Sequence, residues 1–136
     1  MKEIAILGST GSIGTQTMDV IRLHSDMFHA SVIAAHKSID KLKEQAEEFH
    51  PHAIVVTDEK AGKKFLETYE GDAEVYIGEE ALCQVVRRDD VDLVLVSVVG
   101  ITGLKPTLEA IRAGKELALA NKETLVAGGA LVLEEA

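Results

Sequence analysis

The stretch Gly8-Ser9-Thr10-Gly11-Ser12-Ile13-Gly14 constrains this chain most, because it spaces three glycines at three-residue intervals. It follows an apolar run at residues 4–7 and precedes a segment with helical spacing at residues 12–24. Glycines between a strand and a helix tolerate φ > 0 and let the backbone approach a phosphate. The free N–H groups and the dipole at the start of the helix attract an anion. The sequence therefore predicts a nucleotide site here; the alternative is a glycine-rich turn without a ligand.

Short apolar runs alternate with amphipathic segments along the rest of the chain. We predict further strands at residues 30–35, 53–56, 74–77, 92–98 and 116–120. Predicted helices cover residues 38–50, the stretch from Asp58 to near Gly71, residues 79–88, and a segment with Pro106 in its first turn and Gly114 as its C-terminal cap. This alternation is typical of a Rossmann-like α/β fold, a doubly wound, mainly parallel sheet with helices on both faces. Residues 1–136 are predicted to form one domain.

Three further segments follow predicted strands and belong at the same edge of the sheet as the glycine turn. They are residues 36–38, 100–103 and 121–123. Ligands of a parallel doubly wound sheet bind outside the carboxyl ends of its strands. The glycines, small polar side chains and lysines of these segments therefore support the nucleotide site. Ser9, Thr10 and Ser12 are predicted to be phosphate-loop residues and not nucleophiles.

The end of the second predicted strand indicates which dinucleotide binds. Cofactors without a 2′-phosphate are usually held by an Asp or Glu about 20 residues beyond the glycine motif, and this chain has His36-Lys37-Ser38 there. Because no carboxylate is present to bind the ribose diol or repel a phosphate, the segment favours NADP(H) over NAD(H). The alternative is that Lys37 is a surface lysine and Ser38 only a helix cap, although a cap and a phosphate contact can coexist.

The segment after the last predicted full strand combines an amide, a cation and a carboxylate in Asn121-Lys122-Glu123. Asn121 can bond a ribose or a carboxamide, and Lys122 can bond a substrate hydroxyl, carbonyl or phosphate. Glu123 can accept from a ribose hydroxyl. The alternatives are a solvated lysine and a carboxylate that only caps the next helix.

The net charge of −9, from 23 acidic and 14 basic residues, disfavours nucleic acid and anionic membranes as partners. The apolar runs are too short for a membrane span or a secretion signal, so we expect a cytoplasmic protein. Cys83 is the single cysteine, and its apolar neighbours predict a packed core thiol. The five histidines show no ligand spacing with acids on one helical face, so no metal site is predicted.

Four segments resemble the 1-deoxy-D-xylulose 5-phosphate reductoisomerase family. They are the glycine turn with Leu7 before it, Val99-Gly100-Ile101-Thr102-Gly103-Leu104-Lys105-Pro106-Thr107-Leu108, Ile111-Arg112-Ala113-Gly114-Lys115, and Leu119-Ala120-Asn121-Lys122-Glu123-Thr124-Leu125-Val126. The resemblance implies an NADPH-dependent oxidoreductase and isomerase of non-mevalonate isoprenoid biosynthesis that also needs a divalent metal, Mg²⁺ or Mn²⁺. Such an enzyme rearranges and reduces a sugar phosphate substrate to 2-C-methyl-D-erythritol 4-phosphate.

The resemblance also implies roles for individual residues. Thr10, Gly11, Ser12 and Ile13 would cradle the cofactor, His36, Lys37 and Ser38 would lie by its 2′-phosphate, Asn121 and Glu123 would contact NADPH, and Lys122 would contact the substrate. His36 and Ser38 depart from the family pattern, which often has Gly and Asn at these positions.

The family's metal-binding motif, Asp-Ser-Glu-His, is expected beyond Ala136. We therefore expect a truncated cofactor-binding domain, without catalytic residues or a metal ligand set and inactive alone, of an enzyme that is a homodimer at full length. Two alternatives stay open: the cofactor domain of another NAD(P)-dependent dehydrogenase, and a non-catalytic NADP-sensing module.

Overall fold

The computed structural model describes residues 2–96, 101–119, 126–127 and 130–131. The strands in these ranges are β1 (Lys2–Leu7), β2 (Phe28–Ala35), β3 (Ala53–Val56), β4 (Glu74–Ile77), β5 (Leu93–Val96), β6 (Glu116–Leu119), β7 (Val126–Ala127) and β8 (Ala130–Leu131). The helices are α1 (Ser12–Leu23), α2 (Ile39–Phe49), α3 (Glu59–Thr68), α4 (Glu80–Val85) and α5 (Ile101–Arg112). In the part of the chain described, no helix has the length and apolar character needed to cross a membrane.

The strands β1 to β6 form one parallel sheet in the order β4-β3-β2-β1-β5-β6. The chain proceeds outward from β1 to β4, then returns to the other side of β1 with β5 and continues to β6. The strand order therefore reverses between β1 and β5. Such a switch point is where a doubly wound sheet binds ligands, at the carboxyl ends of the strands. The predicted Rossmann-like architecture is confirmed.

The sheet separates two apolar cores, because its strands are buried on both faces. Ile4 and Ile6 of β1 pack with α1, α2 and α3 on one face. Ala5 and Leu7 of the same strand pack with α4 and α5 on the other face. Helices therefore cover both faces of the sheet, as the sequence predicted.

Two helix ends follow the sequence signals closely. The Asp58 carboxylate caps α3 by accepting a 3.0 Å hydrogen bond from the N–H of Ala61. At the end of α5, Gly114 has φ of +74°, and the N–H of Lys115 donates to the Ala110 carbonyl at 3.0 Å. This bond across a left-handed glycine is typical of a Schellman C-cap. Both caps were predicted from residue type and position.

The start of α5 differs from the sequence prediction. We predicted a loop at residues 100–103 and Pro106 in the first helical turn, but α5 begins at Ile101. Pro106 is therefore in the second turn, where proline cannot donate to the carbonyl four residues earlier, that of Thr102. The prediction was wrong because Gly103 was assigned to a loop from its composition, whereas helical backbone runs through it. Residues 97–100 lie outside the described residues.

Arg88 joins the loop before β5 to the edge strand β4. Its Nε and Nη2 donate to the two carboxylate oxygens of Asp90 at 2.8 and 2.9 Å. Its Nη1 donates to Oε2 of Glu74 and to the Tyr76 hydroxyl, both at 3.0 Å. The hydrogen bonds from Arg88 hold the pKa of the Asp90 carboxyl below its usual value, although burial acts in the opposite direction.

Replacing Asp90 with Asn is expected to change how stability depends on pH. Because the pKa of Asp90 is lowered on folding, its carboxylate stabilises the fold above the unfolded-state pKa of about 3.9. That contribution is lost as the pH falls through the lower folded-state pKa. Asp90→Asn should therefore cost about 1 kcal/mol or less near neutral pH, and progressively less below about pH 4. Urea denaturation across this range measures the cost, and a cost that does not change with pH would contradict the assignment.

Candidate functional site

The turn after β1 is anchored to the neighbouring strand β2. Gly8 has φ of +99°, in the left-handed region that glycine enters without strain. The N–H groups of Gly8 and Ser9 both donate to the carbonyl oxygen of Ala34, at 3.0 and 2.9 Å. The N–H of Gly11 donates to the Gly8 carbonyl at 3.3 Å. These bonds fix the turn at the carboxyl edge of the sheet.

Helix α1 packs directly on this turn at Gly14. A Cβ atom built on Gly14 would lie 2.0 Å from the Gly8 carbonyl oxygen and 2.7 Å from Cα of Ser9. Neither neighbour is a flexible side chain, so position 14 requires glycine. At Gly11 a Cβ atom would meet the Gly8 oxygen at an ordinary 3.7 Å. Close packing therefore excludes a side chain at Gly14 but not at Gly11.

Ser9 turns into the protein and does not face outward, unlike a phosphate-loop side chain. It is fully buried, and its Oγ donates to Oε1 of Gln45 at 2.7 Å. Nε2 of Gln45 donates back to the Ser9 carbonyl oxygen at 2.9 Å. Gln45 lies on α2, so this pair of bonds ties the glycine turn to the next helix. Sequence reasoning missed Gln45, whose partner is 36 residues away.

The start of α1 is suited to an anion. Its N-cap residue is Gly11, so no side chain caps the helix, and the first turn contains no acidic residue. Gly11 is exposed, and Thr10 and Ile13 are half-buried, so the turn reaches the surface. The side chain of Ser12 lies outside the part described. An uncapped helix start presents free N–H groups and the positive end of the dipole.

The segment His36-Lys37-Ser38 follows β2 at the same edge and is exposed throughout. Nδ1 of His36 lies 2.8 Å from the hydroxyl of Thr57, which follows β3 and orients the imidazole. Ser38 occupies the N-cap position of α2, as predicted, but its side chain makes no capping hydrogen bond. Its hydroxyl is therefore not committed to the helix.

Lysines concentrate beside this segment, although the chain as a whole is acidic. Lys37 lines a groove of about 710 Å³ together with Asp58 at the start of α3. The rest of the lining is Ile39, Lys60, Ala61, Lys63 and Lys64. Among the residues that the structure describes, Lys37 forms no ion pair. The groove therefore offers a local excess of positive charge that the sequence-wide charge conceals.

Asn121, Lys122 and Glu123 lie outside the described residues, so their predicted roles stay predictions. They follow β6, which pairs with β5 in the parallel sheet. The end of β6 is therefore at the same edge as the glycine turn. For the described residues, the parallel pairing of β1 and β2 places the glycine turn and residues 36–38 at the same edge of the sheet.

Cys83 and a group of polar residues are two further features outside the predicted site. Cys83 on α4 is half-buried, and burial, with the nearby Glu109 and Glu80 carboxylates, raises the pKa of its thiol. A raised pKa disfavours the reactive thiolate.

At the amino edge, the structure brings together Glu3, His29 and His52, a group that could hold a metal ion. The sequence search missed it because it considered ligand spacing along single helices.

The sheet is parallel and its strand order reverses beside β1, where a glycine turn leads into an uncapped helix. These features define a Rossmann-like fold. The family model for 1-deoxy-D-xylulose 5-phosphate reductoisomerase matches residues 4–129. The chain therefore belongs to the 1-deoxy-D-xylulose 5-phosphate reductoisomerase family, in agreement with the sequence resemblance.

Individual relatives support this membership. The reductoisomerase of Clostridium perfringens strain 13 is 48% identical over 139 residues, covering 100% of this chain and 36% of that protein. The Phocaeicola vulgatus protein is 48% identical over 135 residues, covering 96% of this chain and 35% of the relative. This chain thus spans about a third of the length of these curated relatives.

Solved structures of the family share the fold. The Zymomonas mobilis reductoisomerase in complex with NADPH gives a TM-score of 0.82 at 32% identity, over 92% of this chain and 33% of that chain. A reductoisomerase in complex with NADPH, fosmidomycin and magnesium gives a TM-score of 0.81 at 36% identity, over 93% and 31%.

Alanine substitutions at the two glycines should have different effects. Gly14→Ala forces α1 away from the turn, and we expect a loss of about 3 kcal/mol in the free energy of unfolding, as for other overpacked sites. Gly11→Ala, the matched control, has room for a Cβ and should cost about 1 kcal/mol or less. Urea denaturation of both variants measures the difference. Equal costs would contradict the close approach at Gly14.

Proposed function

We propose that residues 1–136 are the NADPH-binding domain of a 1-deoxy-D-xylulose 5-phosphate reductoisomerase. The whole enzyme rearranges and reduces 1-deoxy-D-xylulose 5-phosphate to 2-C-methyl-D-erythritol 4-phosphate in isoprenoid biosynthesis. One observation carries the proposal: an uncapped helix start and an exposed His-Lys-Ser segment follow neighbouring strands and lie at the carboxyl edge of one parallel sheet. The family's structure with NADPH supports the identity of the cofactor.

The glycine turn fits a pyrophosphate. Thr10, Gly11, Ser12 and Ile13 surround the start of α1, and we assign them to the cofactor's phosphates. The absence of an acidic residue in the first turn removes a source of charge repulsion. Close packing at Gly14 and the hydrogen bonds to the Ala34 carbonyl hold the turn against α1 and β2. Contacts within the protein that fix a turn lower the ordering cost of binding.

The segment after β2 fits a 2′-phosphate. Lys37 supplies a positive charge, and the Ser38 hydroxyl is free of the helix cap and can donate to a phosphate oxygen. We assign His36 to the same group, with its ring oriented by Thr57. No carboxylate occupies the 36–38 segment to repel the phosphate.

Family membership supports roles for the segment after β6. We assign Asn121 and Glu123 to NADPH and Lys122 to the substrate. When bound, NADPH supplies the hydride for the reduction. The protein's part in this domain is to bind and orient the cofactor.

The metal-dependent and substrate-binding parts of the reaction are assigned to the part of the family's length that this chain does not span. This chain spans 36% of the Clostridium perfringens relative, and a family structure contains magnesium. We propose that a divalent metal, Mg²⁺ or Mn²⁺, and most of the sugar phosphate site belong to the rest of a cytoplasmic enzyme. We further propose that this full-length enzyme is a homodimer.

The isolated chain is expected to show no turnover. With NADPH, Mg²⁺ and 1-deoxy-D-xylulose 5-phosphate, NADPH absorbance should fall no faster than in a protein-free control. A full-length member of the family is the positive control. Steady oxidation of NADPH that depends on the sugar phosphate would contradict the proposed division of the enzyme.

Replacing Lys37 with Ala should weaken NADPH and leave NADH unaffected. Loss of a charge-assisted phosphate contact costs about 1.5 kcal/mol or more, which is about a tenfold rise in the NADPH dissociation constant. Titration by fluorescence or calorimetry measures both cofactors. Lys43→Ala is the matched control, because Lys43 lies on α2 but lines a different cavity, with His50 and Tyr69. An equal loss for NADPH and NADH would contradict a role in binding the 2′-phosphate.

A further inference from the structure

A group of polar side chains lies at the amino edge of the sheet, opposite the glycine turn. Glu3 and His29 are near the starts of β1 and β2, and the strand register places them directly opposite each other. His52 comes immediately before β3. One ligand atom from each of these three residues lies within 4.8 Å of the other two.

The main chain holds the His29 ring in one orientation. Its Nε2 lies 3.1 Å from the carbonyl oxygen of Phe49 and 3.2 Å from that of His50. Carbonyl oxygens only accept, so Nε2 carries a proton and donates. Metal-binding histidines are commonly held in this way, with the nitrogen away from the metal donating to a backbone carbonyl. Nδ1 is therefore the atom directed at the other members of the group.

A proton or a metal ion must lie between His29 and Glu3. Nδ1 of His29 is 2.6 Å from Oε2 of Glu3, and two lone pairs at that distance need a proton or a cation between them. A proton on Nδ1 meets this need with two residues. A metal ion meets it as well, and also uses the third member, His52, whose ring is edge to face with His29 at 5.3 Å between centroids.

The group is accessible to an ion from solvent. The side chains of His29 and Glu3 are 23% and 26% exposed, and His52 is exposed. His52 also lines a cavity of about 650 Å³ together with His50. An ion can therefore reach the group without opening of the sheet, and the His52 side chain has room to change its torsion angles.

We propose that Glu3, His29 and His52 bind a Zn²⁺ ion, with water as the fourth ligand. Two imidazoles and a carboxylate are a ligand set that Zn²⁺ accepts, whereas Mg²⁺ prefers oxygen ligands alone. Zn²⁺ bonds of about 2.0–2.2 Å separate tetrahedral ligand atoms by about 3.4 Å. Rotation of the Glu3 and His52 side chains can lengthen the 2.6 Å distance between His29 and Glu3 to this value. The same rotation shortens the distances to His52, which are at most 4.8 Å, by about 1.5 Å or less.

The ion would join the amino ends of three neighbouring strands. Its role is structural, because it links β1 and β2 to the loop that leads into β3. The proposal does not depend on the cofactor assignment, since the residues lie at the other edge of the sheet. It predicts that Zn²⁺ stabilises the fold and that Mg²⁺ at the same concentration does not.

Co²⁺ and Zn²⁺ titrations of the untagged, EDTA-treated chain test the site. Co²⁺ should bind with one-to-one stoichiometry, give the visible absorption of a tetrahedral complex, and be displaced by Zn²⁺. His52→Ala and Glu3→Gln should each raise the Zn²⁺ dissociation constant at least about tenfold. Zn²⁺ should raise the melting temperature of the unsubstituted chain and have much less effect on either variant.

His24→Ala is the matched control. His24 follows α1 and contacts Phe28, outside the group of ligands. It should leave Zn²⁺ affinity unchanged. Because His52 is exposed, its variant is expected to fold, and circular dichroism of each variant verifies this. The proposal is overturned if Zn²⁺ does not bind with one-to-one stoichiometry. It is equally overturned if binding survives His52→Ala and Glu3→Gln, because Glu3 and His29 are then only an ion pair.

Discussion

The direct contact between α1 and the turn after β1 is the constraint on which the carboxyl edge depends. At Gly14 the helix lies so close to the Gly8 carbonyl that no side chain fits between them. This contact sets the distance between α1 and the sheet, and the inner residues Met18 and Ile21 of α1 are buried in the core with β1. It also brings the uncapped helix start to the strand-order reversal, where a ligand's phosphates can meet it.

The turn is also connected to the second half of the proposed cofactor site. Gln45 holds both the side chain and the carbonyl of Ser9, and α2, which carries Gln45, begins directly after Ser38. The two segments assigned to the pyrophosphate and the 2′-phosphate are therefore parts of one hydrogen-bonded unit. Polar groups shielded from solvent that satisfy each other in this way specify one arrangement of the elements that they join.

Most of the fold was predictable from sequence because its signals are local. The apolar runs, the Asp58 cap and the Gly114 C-cap each act within a few residues, and the structure confirms them. The start of α5 was not predictable from Gly103, because residue type at a helix boundary is a weak guide when packing decides. The link from Ser9 to Gln45 depends on how a helix is rotated against the sheet. Such pairing has no local sequence pattern.

The Glu3 and His29 pair shows the same limit across strands. Their side chains meet only because the register of β1 and β2 places them opposite each other. The roles of His36, Lys37 and Ser38 were proposed from their position after a strand, and the structure agrees on the position. Where each of these side chains contacts a cofactor is a matter of chemistry that neither periodicity nor composition encodes.

Because both faces of the sheet are buried, the register of its strands depends on polar contacts toward the amino edge. In a strand with one apolar face, a slip of one residue exposes that face. In β1 a slip would exchange Ile4 and Ile6 for Ala5 and Leu7, and both sets are buried, so hydrophobicity discriminates poorly. Such a slip would break the 2.9 Å hydrogen bond from the N–H of Glu3 to the Asp92 carboxylate. In the same way, the buried Ser31 hydroxyl, which donates to the Asp90 carbonyl at 2.7 Å, fixes β2 against the loop before β5. The alignment of the strand ends at the carboxyl edge thus depends on contacts made toward the other end of the same strands.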